Sequence, residues 1–225
     1  MKNDDIMDST LRENLIKIAK NKIAMEDVSH DFEHAYRVLL NVEVIAQQEG
    51  GDLDILVPAA LFHDLVVYQK NHPEKHKSQG ESAKFAEKIL SEMGFEQEKI
   101  ERIKICILEC SFSKGVLPTL SESKILQDAD GLEATGAISI MRTFSSAGQM
   151  KRSFYHPLDP FCENREADAS SYPLDLFYER LLKIPDRLHT KTAREMAKQR
   201  NKFLRLFLKE LRSELFLSDK IFDIK

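Results

Sequence analysis

Ala59-Ala60-Leu61-Phe62-His63-Asp64-Leu65-Val66-Val67 sets a histidine and an aspartate side by side in a run that is otherwise apolar. The surrounding text predicts a helix from about Asp54 to Tyr68, with Pro58 near its first turns, where proline costs least. A helix apolar nearly all round is a buried helix. Burying a carboxylate beside an imidazole is costly unless something pairs with both. A divalent cation is an efficient partner, and a His63–Asp64 hydrogen bond that only orients a core histidine is the other reading. Adjacent helix positions differ by about 100°, yet both side chains can converge on one point because the imidazole reaches further than the short carboxylate.

Outward from this stretch the pattern stays helical. On the N-terminal side, Val38, Val42 and Ile45 follow helical spacing in a helix expected to start near Asp31 and to stop at Gly50-Gly51. Before it, Leu11, Leu15, Ile18 and Ala19 share a face behind the capping candidates Asp8 and Ser9. On the C-terminal side, Ser78 and Glu81 read as a capping box for a helix ending at Gly94. Another helix is expected over about 96–110, with Ile100, Ile103 and Ile107 inward, and Ser121 can cap the next. Residues 145–173 read as a long irregular segment, and two helices close the chain, the last over about 190–215. There is no alternating pattern of useful length and no internal repeat. The fold class is all-α, in a single domain.

His34 stands on the same face as Val38, Val42 and Ile45, so a polar ring lies on an apolar stripe. Alone, such a histidine is more often a hydrogen-bonded core residue than a ligand. Asp130 follows the apolar Ile125 and Leu126 and precedes the small-residue run GLEATGAIS; alone it reads as a helix cap. Asp128 points to the other side of that helix and reads as a cap or a surface charge.

The order His34, then His63-Asp64, then Asp130 resembles the signature of the HD superfamily of metal-dependent phosphohydrolases. The separations, 29 residues from His34 to His63 and 66 from Asp64 to Asp130, suit it. HDFEHAYRV, FHDLVVYQKNHPEKHKS, KILQDADGLEATGAI, HPLDPF and LLKIP resemble a bacterial branch of small HD hydrolases related to nucleoside triphosphate pyrophosphohydrolases, over roughly residues 20–210. The resemblance implies an HD-domain helical bundle spanning 1–225. It implies His34, His63, Asp64 and Asp130 as ligands of one divalent metal, with His63 and Asp64 catalytic. A mixed N/O set suits Mn2+ first, with Mg2+, Fe2+, Co2+, Ni2+ or Zn2+ as alternatives. Arg37, one turn beyond His34, and Lys70, Asn71, His72, Lys75 and Lys77, in the basic loop after the doublet, become phosphate contacts; Lys183 is a further substrate candidate. A solvated charge run is the other reading of the loop. His30 and Asp31 read as outer groups behind the ligands, or Asp31 as a simple N-cap. Val67 stands where some HD nucleotidases carry a carboxylate that positions water, so either the metal-bound water needs no such base or His30, Asp31 or Glu133 serves.

The implied reaction is hydrolysis of a nucleotide, a (deoxy)nucleoside triphosphate going to monophosphate and pyrophosphate by attack of water activated at the metal. In that geometry Phe154, Tyr155 and Phe161 are candidates to stack on the base. The alternatives are a phosphomonoesterase, a di-iron oxygenase on the same fold, which needs more histidines, and a non-enzymatic signalling bundle. The 225 residues carry 33 Lys+Arg against 37 Asp+Glu, a net charge of -4, so no global basic field favours a nucleic-acid polymer. Cys106, Cys110 and Cys162 have no metal-finger spacing and read as small apolar side chains in a reducing compartment. No apolar run suits a signal peptide or a membrane span, so a cytoplasmic protein with a small-molecule substrate is expected.

Overall fold

All regular structure among the described residues is helical, with no strand. The computed structural model describes residues 7–23, 31–68, 72–111 and 115–216. The α-helices are α1 (Ser9–Lys22), α2 (Phe32–Glu49), α3 (Leu53–Phe62), α4 (Ser78–Glu92), α5 (Gln97–Glu109), α6 (Ser121–Gly131), α7 (Gly136–Gln149), α8 (Asp175–Glu179) and α9 (Lys191–Phe216). Short 3-10 segments cover Lys75–Lys77, Leu132–Ala134 and Leu181–Arg187. None of the described helices is long and apolar enough to cross a membrane.

The chain divides into two compact units: 1–133 with 188–193, and 134–187 with 194–225. In the first, α2 packs on α3 and α6, α3 on α5, and α4 on α5. The inward residues expected from periodicity are there: Val38, Val42 and Ile45 of α2, Ile100, Ile103 and Ile107 of α5, and Ile125 and Leu126 of α6 are buried. In α3 every residue from Ile55 to Phe62 is buried, so this helix is the centre of the unit. Asp8 caps α1 by accepting from the Leu11 N–H (2.8 Å), and Asp31 caps α2 by accepting from the His34 N–H (2.9 Å). Gly50 ends α2 at a positive φ of 82°, where its N–H still reaches the Ala46 carbonyl. Cys106 and Cys110 are buried, and burial pushes the Cys106 thiol up to about 12, as befits an inert core side chain.

The second unit packs Phe161, Leu174, Phe177, Leu181, Leu204 and Leu208 into one core. Phe161 is thus a core residue, only 4% exposed, and no exposed stacking platform; Phe154 is exposed, edge-on to Phe144. Buried Asp175 anchors the irregular chain before α8. It accepts from Nη1 and Nη2 of the Arg165 guanidinium and from the Asp168 N–H.

Four local expectations need correction. α3 stops at Phe62 and does not run to Tyr68, because the Val66 N–H that would continue it donates to the Ser82 hydroxyl of α4 (3.0 Å). Ser78 and Glu81 form no capping box: the Ser78 hydroxyl donates to the Lys75 carbonyl, and Glu81 accepts from the Tyr68 hydroxyl (2.7 Å). Ser121 likewise gives its hydroxyl to the Glu122 carboxylate and caps nothing, and the irregular segment starts only after α7 ends at Gln149.

Candidate metal centre

The early end of α3 shapes the centre. The last carbonyls of a helix have no partner within it. His63 occupies the C-terminal cap of α3, and its Nδ1 lies 2.7 Å from the Ala60 carbonyl oxygen. A carbonyl only accepts, so Nδ1 carries a hydrogen, and in the neutral ring the lone pair is on Nε2. Asp64 follows in the turn.

His34, in the first turn of α2, is oriented the same way by a different group. Its Nδ1 lies 3.2 Å from Oε2 of Glu133, which also accepts from Arg37 Nε (3.0 Å) and Nη2 (2.8 Å). Burial alone would push the Glu133 carboxyl up, but the hydrogen bonds of His34 and Arg37, with the Arg37 charge, prevail and hold it below the ordinary carboxylate range. An ionised carboxylate only accepts, so His34 too donates through Nδ1 and turns its Nε2 lone pair the other way.

The two Nε2 atoms then face each other at 3.3 Å. Asp64 Oδ2 is 3.6 Å from each, and Asp130 Oδ1 is 3.6 Å from His34 Nε2. One donor atom each from His34, His63 and Asp130 lie within 4.8 Å of one another. Neutral imidazoles in these tautomers cannot hydrogen-bond to each other, and both carboxylates add negative charge. Such a gathering of lone pairs calls for a cation. Two donors about 2.1 Å from one ion, at right angles, stand about 3 Å apart, close to the spacings found. The donor set therefore fits a divalent metal. The histidine side chains are 1% exposed, against 14% for Asp64 and 30% for Asp130, so the centre is closed behind the rings and open beside the carboxylates.

Among the other expected residues, Arg37 is half-buried and spends Nε and Nη2 on Glu133. Lys70 and Asn71 lie outside the described residues, as does His30. His72 stacks on Tyr68 (centroids 4.6 Å apart), and its Nδ1 accepts from the Glu74 N–H. Lys77 pairs with Glu74 on the surface. Lys183 is exposed on the 3-10 segment of the second unit. Asp31 is the α2 cap, and Val67 is 36% exposed.

Asp128 is no surface charge. It is buried and accepts from the His189 N–H (2.8 Å), the Thr190 N–H (2.7 Å) and the Thr190 hydroxyl (2.7 Å), so it ties the residues that start α9 to α6, two positions before Asp130. The sequence carries no sign of this beyond an acid in a helix with buried neighbours.

The HD domain family model matches residues 31–135, which bracket all four candidate ligands. YpgQ of Bacillus subtilis (strain 168) is 31% identical over 194 residues, covering 84% of this chain and 86% of YpgQ. The chain belongs to the HD superfamily of hydrolases. Solved structures agree. A Bacillus thuringiensis HD-superfamily hydrolase is 29% identical with a TM-score of 0.71, over 93% of this chain and 98% of its own. Lin1889 of Listeria innocua is 32% identical with a TM-score of 0.70, over 92% and 98%. YpgQ crystallised in complex with ADP superposes with a TM-score of 0.69 at 27% identity, over 90% and 97%. Among the described residues His72 and His76 take no part in a metal-ligating cluster.

Proposed function

We propose that this HD hydrolase cleaves nucleoside triphosphates to monophosphate and pyrophosphate at one divalent cation, Mn2+ first, held by His34, His63, Asp64 and Asp130, with 1–225 acting as one hydrolase domain. The observation that carries the reading is the convergence of two imidazole lone pairs with carboxylate oxygens at a point closed on the histidine side. The nucleotide class draws support from YpgQ, a relative crystallised with ADP. When bound, a divalent cation lowers the pKa of water and polarises a phosphoryl oxygen.

The chain's own residues supply placement. His63 and Asp64 bring ligand atoms from the end of α3, and the open carboxylate side is where water and a phosphate reach the centre. The water oxygen joins the α-phosphorus, the bond from that phosphorus to the bridging oxygen breaks, and pyrophosphate leaves with the electron pair while the water's proton passes to solvent. Lys77, Lys70, Asn71 and His72 belong to the loop assigned to the β- and γ-phosphates; the exposed Glu74–Lys77 pair is worth little and exchanges readily for phosphate. Arg37 and Lys183 complete the assigned contacts.

Turnover of a triphosphate in ¹⁸O-labelled water tests the bond. The expected products are labelled nucleoside monophosphate with unlabelled pyrophosphate. Diphosphate with inorganic phosphate, or nucleoside with intact triphosphate, as main products overturns the assignment, and release of phosphate from monophosphates alone makes the protein a phosphomonoesterase.

A further inference from the structure

Two histidines feed the centre, and only one of them has a side chain behind it. His63 is held by a backbone carbonyl of its own helix. His34 is held by Glu133, which comes from the 3-10 segment 99 residues further along the chain and is 3% exposed. A carboxylate buried to this degree is retained only if it is paired, and Arg37, one turn after His34 on α2, supplies two donors to it. The three side chains form a chain of contacts: Arg37 to Glu133, Glu133 to the Nδ1 of His34, and Nε2 of His34 to the ligand cluster.

We infer that Glu133, clamped by Arg37, is a positioning residue that fixes His34 in the Nδ1–H tautomer with Nε2 presented to the cation, and that it is not the base that deprotonates water. The inference rests on the metal reading of the centre. A carboxylate behind a ligating imidazole makes the ring a stronger donor and holds its plane, and losing such a partner typically costs about 10- to 100-fold in metal affinity. Glu133 is unsuited to take a proton from water because it is 3% exposed and its Oε2 already accepts from an imidazole N–H and a guanidinium. Arg37 is correspondingly a support for Glu133 before it is a contact for phosphate.

The test reads binding and tautomer, not turnover. Mn2+ affinity is measured by spin-resonance titration of free Mn2+ for the wild type, Glu133→Gln and Arg37→Gln, and the His34 tautomer by long-range ¹H–¹⁵N spectra of the chelator-treated protein. Glutamine keeps the shape and one acceptor, so the fold has every chance to persist, and Arg37→Gln perturbs the same contact from a half-exposed position should Glu133→Gln not fold. The expected results are an Nδ1–H tautomer for His34 in the wild type, a Mn2+ dissociation constant raised about 10- to 100-fold in Glu133→Gln, and a smaller rise in the same direction in Arg37→Gln. An Nε2–H tautomer in the wild type, or Mn2+ affinity unchanged in both variants, overturns the inference. Positive results with no hydrolysis of any nucleotide would sink the substrate assignment and leave this role of Glu133 standing.

Discussion

Asp64 and Asp130 offer the same functional group from different settings. Asp64 sits in the turn that follows α3, beside both rings, and its side chain is largely enclosed; Asp130 comes from the last residues of α6 and is half-buried. In the proposed centre each would be neutralised by the cation. Removing Asp64 removes a charge together with the reason for its counterion, so no buried charge is stranded, in contrast to the breaking of an ordinary buried ion pair. Asp64→Ala should therefore lose Mn2+ binding by more than about 100-fold, beyond the usual cost of an outer partner, and lose turnover with it, while far-ultraviolet circular dichroism remains close to wild type. Retained metal-dependent turnover in this variant would remove Asp64 from the ligand set. His34 and His63 differ in the other direction. One is oriented by Glu133 and the other by Ala60's carbonyl, so side-chain substitution can loosen the first without touching the second.

Several elements in this chain begin or end where side chains from elsewhere take over backbone groups. α3 ends at Phe62 because Ser82 claims the Val66 N–H, and the start of α9 is held by Asp128 from α6. In the second unit, buried Asp175 opens α8 and gathers Arg165 and the Asp168 N–H. Burial pushes the Asp175 carboxyl up, but the Arg165 and Asp168 hydrogen bonds outweigh it and leave it below the ordinary carboxylate range. A carboxyl whose folded pKa is depressed adds stability that is full above its unfolded value, about 3.9, and is lost as pH falls through the folded value. Asp175→Asn should thus lower stability by about 3 kcal/mol at neutral pH, in the range for breaking a buried pair, and the gap to wild type should close as acid protonates Asp175 in the wild type. Urea unfolding at pH 7 and at successively lower pH checks this; a gap independent of pH would assign the loss to packing. The same contacts explain what was legible in the sequence. Periodicity suffices for the buried faces of α2, α5 and α6, since burial depends on residues three and four apart. The end of α3, the cap formed by Asp128 and the partners of Glu133 depend on residues 16, 61 and 99 positions away, which no local pattern encodes. The candidate ligands were legible only through their order and flanking text, because each taken alone has an ordinary structural explanation.

At the scale of the whole molecule, the donors come from the first turn of α2, the end of α3 and the end of α6, all within the first compact unit. An unfolded chain does not hold donors from positions 34, 63, 64 and 130 together, so the cation binds the folded form and metal-binding free energy becomes folding free energy. For a ligand that binds only the folded state, the gain is about 2.7 kcal/mol at a free concentration 100 times the dissociation constant. In a chain of this size each kcal/mol moves the unfolding midpoint by about 2–4 °C. Restoring Mn2+ to chelator-treated protein should then raise the midpoint by about 5–10 °C, and the increment should vanish in Asp64→Ala. Ligating imidazoles and carboxylates must be deprotonated, so the increment should also shrink as the solution is acidified. Differential scanning calorimetry, with a chelator and then with Mn2+ in excess, measures the increment for each protein and each pH. A midpoint that does not move in the wild type would mean that the converging lone pairs of His34 and His63 are balanced by protons and not by a metal, and the hydrolytic reading would have to be rebuilt on another centre.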